Sequence, residues 1–162
     1  MAVDSEVLRS AMRSWTTGIT IVSSQHLAIR HGMTVSSFTS VSLDPPLLLV
    51  SLEQSTRTHD LVGKSGVFGV TILAGHQAWI SDRFAGRESE GDDRFSGLAL
   101  RTLVTGSPFL QDALACFDCE VNRELKVGNH TIFIGEVLAL DVSEGDPSPL
   151  VYFDRTYRKL QT

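Results

Sequence analysis

Gly32-Met33-Thr34-Val35-Ser36-Ser37-Phe38-Thr39-Ser40-Val41-Ser42-Leu43-Asp44-Pro45-Pro46-Leu47-Leu48-Leu49-Val50 is the stretch whose reading decides the rest of the chain. Thr, Val and Phe favour an extended backbone. The stretch is almost free of charge, yet it carries hydroxyls at Thr34, Ser36, Ser37, Thr39, Ser40 and Ser42. Successive side chains of a strand point to opposite faces, so Thr34, Ser36 and Phe38 line one face and Val35, Ser37 and Thr39 the other. Neither face is plainly apolar. Two readings stay open on pattern alone: an ordinary half-buried strand with its hydroxyls in solvent, or a strand whose small hydroxyls and accessible backbone suit a flat polar molecule. Asp44-Pro45-Pro46 breaks the strand, because proline removes a ladder donor. Leu47 to Leu52 reads as the next, buried strand.

Working outward, Asp4 or Ser5 can cap a helix with Val7, Leu8, Ala11, Met12 and Trp15 at helical spacing, ended by Gly18. Gly18 to Ser23 reads as a strand, and a short turn near Gln25 to Leu27 leads into a long strand from about Ala28 to Val41. Downstream follow a short helix near Arg57 to Gly63, a strand near Val67 to Leu73 and a helix from about His76 to Phe84. Gly86 to Gly97 is a polar, charge-rich interruption, read as a solvated loop or, more sharply, as a lid. Leu98 to Thr105 is a strand. Asp112 to Lys126 and His130 to Ser143 form a long hairpin turning at Val127-Gly128-Asn129, and Leu150 to Tyr157 is the last strand. About seven strands, few helices and no βαβ alternation predict an antiparallel barrel and not a Rossmann sheet. No G-x-G-x-x-G or P-loop occurs, so any nucleotide must be held another way.

A chain of 162 residues, 42% hydrophobic and 20% charged, is expected to form one soluble globular domain with a real core. Net charge −5 and a pI near 5.4 argue against a nucleic-acid surface. No run approaches the roughly 18 apolar residues of a membrane span, and Met1 to Trp15 has no apolar signal region, so a cytoplasmic location is expected. Cys116-Phe117-Asp118-Cys119 has C-x-x-C spacing, but its flanks read as a strand in which residues three apart face opposite ways. The thiols should diverge, and with no second ligand pair no metal site is expected.

The stretch from Gly32 to Leu47 closely resembles the signature of the flavin reductase-like, FMN-binding split-barrel family. Further matches follow in order: Trp15-Thr16-Thr17-Gly18-Ile19-Thr20, Ser51 with Ser55-Thr56, Asp82-Arg83-Phe84-Ala85-Gly86, Gly128-Asn129-His130-Thr131-Ile132-Phe133-Ile134-Gly135-Glu136-Val137, and Pro149-Leu150-Val151-Tyr152-Phe153. The resemblance implies an all-β fold with short flanking helices, an antiparallel Greek-key split β-barrel, as a single domain over residues 1–162. It implies an NAD(P)H:flavin oxidoreductase that binds FMN or FAD, uses NADH or NADPH, forms a homodimer and supplies reduced flavin to a partner monooxygenase. The resemblance further implies flavin contacts at Met33, Thr34, Val35, Ser36, Ser37, Ser51, Leu52, Phe84, Ala85 and Gly86. Ser55 and Thr56 would take the flavin phosphate, with Arg57 a further candidate. His130 would lie beside the flavin ring and the nicotinamide, and Tyr152 at a position that also meets the nicotinamide.

Each of these residues also has a plainer reading. Ser55 or Thr56 can be a helix N-cap, although a helix N-terminus is itself an anion site. His130 can be a strand-start histidine and Tyr152 a core aromatic. His26, His31, His59 and His76 have no partner at metal or catalytic spacing and read as surface or satisfied polar residues. Two other functions remain: a flavoenzyme of another class resembling pyridoxine-phosphate oxidases, and a flavin-binding module without turnover. The segment Gln25 to His31 departs from the family pattern in lacking an Asp-Gly hairpin signal, which leaves the choice of flavin open.

Overall fold

The computed structural model describes residues 2–86, 93–145 and 148–160. Most of the loop expected between Gly86 and Gly97, and with it the lid reading, lies outside the described residues. In chain order the first elements are α1 (Ser5–Met12), β1 (Thr17–Gly18), β2 (Thr20–His26), β3 (Ile29–Val35), β4 (Phe38–Leu43), β5 (Pro46–Glu53), α2 (Arg57–Ser65) and β6 (Val67–Ile72). There follow α3 (Ala78–Phe84), β7 (Leu100–Arg101), β8 (Phe109–Leu110), β9 (Ala115–Val127), β10 (His130–Val142), β11 (Val151–Phe153) and β12 (Thr156–Arg158).

Seven strands form one sheet in the order β3-β2-β6-β9-β10-β5-β4, and every pairing in it is antiparallel. Its two edges, β3 and β4, are consecutive in the chain with only Ser36 and Ser37 between them. In a flat sheet, gaps of about 4.8 Å would hold those edges nearly 30 Å apart. Three Cα steps, by contrast, span at most about 11 Å. The sheet must therefore roll up. It closes without a β3–β4 ladder, which is the split of the expected split barrel. The β4–β5 pairing runs one rung beyond Phe38 and Val50 into this link: the Ser51 amide donates to the Ser37 carbonyl at 3.2 Å, and the Ser37 hydroxyl donates to the Ser51 carbonyl at 2.7 Å.

Rolling creates an inside, filled by Val22, Val35, Leu48, Val50, Leu52, Phe68, Val70, Cys119 and Phe133, with Met33, Phe38 and Phe117 partly buried against them. A second cluster joins Ile19, Ile21 and Leu73 to Ile80 and Phe84 of α3, together with Phe95 and Leu150. The third, Phe109, Ala113 and Cys116, lies under β8. The two cysteines belong to different clusters, so the thiols diverge as expected. Burial pushes both up, Cys119 to about 12. Between them the fully buried Asp118 accepts from the Val104 and Thr105 amides at 2.7 and 2.8 Å, pinning the segment that leads to β8.

Several boundaries differ from expectation. The long strand read from Ala28 to Val41 is two strands, because Ser36-Ser37 carries the chain from one sheet edge to the other. Helix α1 ends at Met12, continued only by i→i+3 bonds from the Ser14 and Trp15 amides. The segment read as a strand from Leu98 to Thr105 contributes only β7, and the last strand is a hairpin, β11–β12, turning through Asp154 and Arg155 at φ 47° and 60°. The β9–β10 hairpin turns where expected, with Val127 opposite His130 and Gly128 at φ 57°, the left-handed conformation that a two-residue hairpin loop asks of glycine.

Gly135 of β10 adjoins a register shift in the β9–β10 ladder. A Cβ built there would stand 2.5 Å from the Phe68 ring and 2.9 Å from Cys119 Cβ, and Phe68 is completely buried. Gly135→Ala should overpack the barrel by about 1–3 kcal/mol, lowering the melting temperature by roughly 3–10 °C. An unchanged melting temperature would show that this part of the interior is not tightly packed.

Candidate functional site

Strand β3 lies at a sheet edge, so part of its backbone is free of ladder bonds. Its two faces do different things. Met33 and Val35 pack into the barrel interior. A Cβ built on Gly32 would meet Phe84 and Phe95 within 2.9–3.2 Å, and the Thr34 hydroxyl donates to the Ser81 carbonyl of α3 at 2.6 Å. Arg94 Nη1 closes this side by donating to the Gly32 and Phe84 carbonyls at 3.0 and 2.9 Å.

Beyond β3, the Ser37–Ser51 rung of the β4–β5 pairing leads along β5 to the start of α2. Thr56 is its N-cap, its hydroxyl accepting from the His59 amide at 3.3 Å, and Gly66 at φ 71° ends the helix. Two histidines hold the first turns of α2. His31 of β3 bonds the buried Thr58 hydroxyl through Nδ1 at 2.8 Å, and His59 reaches Thr131 of β10 through Nε2 at 2.8 Å. Both are satisfied polar residues, as read. Gln54 supplies a second tie to β10: its amide donates to the Asn129 carbonyl and its side chain to the His130 carbonyl, each at 2.9 Å.

The residues expected at the flavin therefore divide. Ser36, Ser37, Ser51, Ser55, Thr56 and His130 are joined around one corner of the barrel, where β3 gives way to β4, β5 runs into α2, and β10 begins. Among the described residues the hydroxyls of Ser36 and Ser55 have no partner, and both residues are exposed. The hydroxyls of Thr34, Ser37 and Thr56 are already committed, donating to the Ser81, Ser51 and Glu53 carbonyls. Val35, Leu52 and Phe84 are buried by 95% or more, so they can offer a ligand only backbone atoms. Ala85 and Gly86 follow α3 and are exposed. Tyr152 pairs across β1 with Thr17 and packs on Tyr157 at 5.5 Å in the second apolar cluster, apart from the His130 corner. Gln54 and the two histidine–threonine bonds were not singled out from sequence, because long-range contacts alone give them their part.

Two arginines stand near His31 at this corner. Burial, with Arg94 and Arg57 close by and only Asp93 opposing, lowers the His31 pKa from 6.5 to about 4. Asp93 is itself held low, first by its hydrogen bond from Arg30. Free hydroxyls, an exposed edge backbone and the N-terminus of a nine-residue helix beside Arg57 form a donor set suited to a flat ring with polar edges and an anionic tail.

The flavin reductase like domain matches residues 12–161, and the chain belongs to that family. It is 41% identical over 157 residues to the NADH-dependent flavin reductase StyB of Pseudomonas fluorescens, covering 96% of this chain and 89% of that one. The structure of the styrene monooxygenase flavin reductase from Pseudomonas putida superposes with a TM-score of 0.83 at 39% identity, covering 96% of this chain and 97% of that one. The NADH:FAD oxidoreductase of Streptomyces globisporus, solved with NAD and FAD fragments, gives 0.89 at 28%, covering 99% and 97%.

The His31 shift has a pH signature. The folded protein keeps His31 neutral down to about pH 4, whereas an unfolded histidine charges near 6.5, so the folded state binds fewer protons in that window. This contribution to stability is complete above about pH 6.5 and is lost as pH falls towards 4. Thermal unfolding of His31→Gln should show a flatter dependence on pH across that window than the parent, and parallel curves would contradict the assignment.

Proposed function

We propose that this chain reduces FMN or FAD with NADH and releases the reduced flavin to a flavin-dependent monooxygenase. The observation that carries the reading is the corner itself: an edge strand running into the free hydroxyl of Ser36, abutting a helix N-terminus that two residues, Gln54 and His59, bind to the strand bearing His130. Relatives and neighbours with this fold are named as flavin reductases, one of them as a styrene monooxygenase component. A bound flavin supplies the acceptor for the hydride of NADH, so the hard chemistry belongs to the two cofactors.

The protein's work is to bind and align two planar rings. The α2 N-terminus holds the phosphate through its free amides, through Ser55 and, once its hydroxyl turns from the Glu53 carbonyl, through Thr56, with Arg57 adding charge. Ser36 and the β3–β4 backbone take the polar edge of the ring, where donors offset the negative charge that develops on reduction. His130 stands on the nicotinamide side and orients NADH. NADH consumption that rises with added FMN tests the whole reading, and consumption indifferent to flavin would overturn it.

A homodimer completes the proposal. Helix α1 buries none of its residues, leaving Val7, Leu8, Met12 and the following Trp15 bare. Leu43 is 89% exposed, and Val41, Leu138, Leu140 and Val142 are also open on the outer strands. So much uncovered apolar surface is unusual for a monomer, and a second copy would cover it. Sedimentation should give twice the chain mass; a strict monomer that still binds flavin tightly would contradict this.

Replacing Ser55 and Thr56 together by Ala should weaken FMN binding by about 2–4 kcal/mol, the scale of two charge-assisted hydrogen bonds, while riboflavin binding changes little. Equal weakening of both ligands would remove the phosphate assignment. His130→Ala should lower kcat/KM for NADH about tenfold or more, yet keep flavin affinity within about threefold. A collapse of flavin binding instead would make His130 a flavin ligand or a structural residue.

A further inference from the structure

His130 opens β10 immediately after a two-residue turn, and its surroundings fix both its backbone and its ring. The backbone is held by Gln54, whose amide donates to the Asn129 carbonyl and whose side chain donates to the His130 carbonyl. The ring is held by Asn129: His130 Nδ1 and Asn129 Oδ1 are 2.9 Å apart. Glu53 stands opposite His130 across the β5–β10 ladder without a hydrogen bond to the ring. With the Asn129 amide turned oxygen-first toward the ring, that oxygen accepts and the proton of the pair sits on Nδ1. A neutral imidazole has one donor and one acceptor nitrogen. With Nδ1–H given to Asn129, Nε2 is left as a bare acceptor.

We propose that Asn129 is a positioning residue for the reaction. It selects the Nδ1–H tautomer of His130, so that Nε2 accepts a hydrogen bond from the carboxamide NH2 of NADH. The inference rests on the reading that His130 serves the nicotinamide side. It gives His130 a chemical specificity, for a nicotinamide that carries a donor, and it gives Asn129 a role that no direct contact with flavin requires.

Two readouts test it. The first is the tautomer of His130, measured by long-range proton–nitrogen NMR in the flavin-free protein. The parent should show Nδ1–H, as should Asn129→Asp, which keeps an acceptor; Asn129→Ala should revert to the Nε2–H form that free histidine favours. The second is the ratio of KM values for NADH and for reduced 3-acetylpyridine adenine dinucleotide, in which a methyl group replaces the carboxamide NH2. The parent should favour NADH. Asn129→Ala and His130→Ala should each shrink that preference about fivefold, the scale of one neutral hydrogen bond, with Asn129→Asp retaining it. Flavin affinity and melting temperature should stay at parent values in Asn129→Ala. An unchanged tautomer or preference in Asn129→Ala overturns the proposal, as does Asn129→Asp behaving like Asn129→Ala. If His130→Ala itself keeps the preference, the nicotinamide reading of His130 fails first. If only Asn129→Ala keeps it, that reading stands and the role of Asn129 falls.

Discussion

Two residues, Ser36 and Ser37, join the opposite edges of a seven-stranded sheet, and much of the molecule follows from that short link. A connection reaching at most about 11 Å cannot bridge a flat sheet of that width. Closure turns one sheet face inward, where it becomes the core built around Val22, Val50, Phe68 and Phe133. Closure without a β3–β4 ladder leaves β3 with backbone to spare beside a cluster of small hydroxyls.

The site is a by-product of that geometry. Because the link that leaves β3 is tied to β5 at Ser51, the helix that follows β5 starts beside β3. The His31–Thr58 bond records the contact. The same helix start is bound to β10 through Gln54 and His59. The expected phosphate end and nicotinamide end thus share one bracket, and a change at either should be felt at the other. Hydride transfer between two planar rings asks for this kind of alignment more than for acid–base groups.

Much of this was legible in the sequence because local chemistry carried it. Asp4 and Thr56 cap helices as cap residues do, Gly128-Asn129 turns the long hairpin, and the C-x-x-C spacing in a strand separated the thiols. The family resemblance placed Ser36, Ser55, Thr56 and His130, which the fold then joined around one corner. What was not legible depends on partners distant in the chain. Nothing local marks Ser36-Ser37 as a crossing between sheet edges, since neither glycine nor proline stands there. The β2–β3 turn places Leu27 at φ 54°, a conformation no residue type announced. The commitments of Thr34 to Ser81 and Ser37 to Ser51, and the burial of Tyr152 against Tyr157, are likewise visible only in three dimensions.

The central claim is that a flavin binds across the barrel's closing corner, spanning the β3–β4 link and the start of α2. Backbone hydrogen exchange with and without FMN tests this directly. The account predicts slowed exchange at residues 33–37 and 55–58 together, with the opposite end of the barrel, around residues 74–76 and 112–114, unchanged. Protection confined to that opposite end, or present at only one of the two predicted segments, would contradict it.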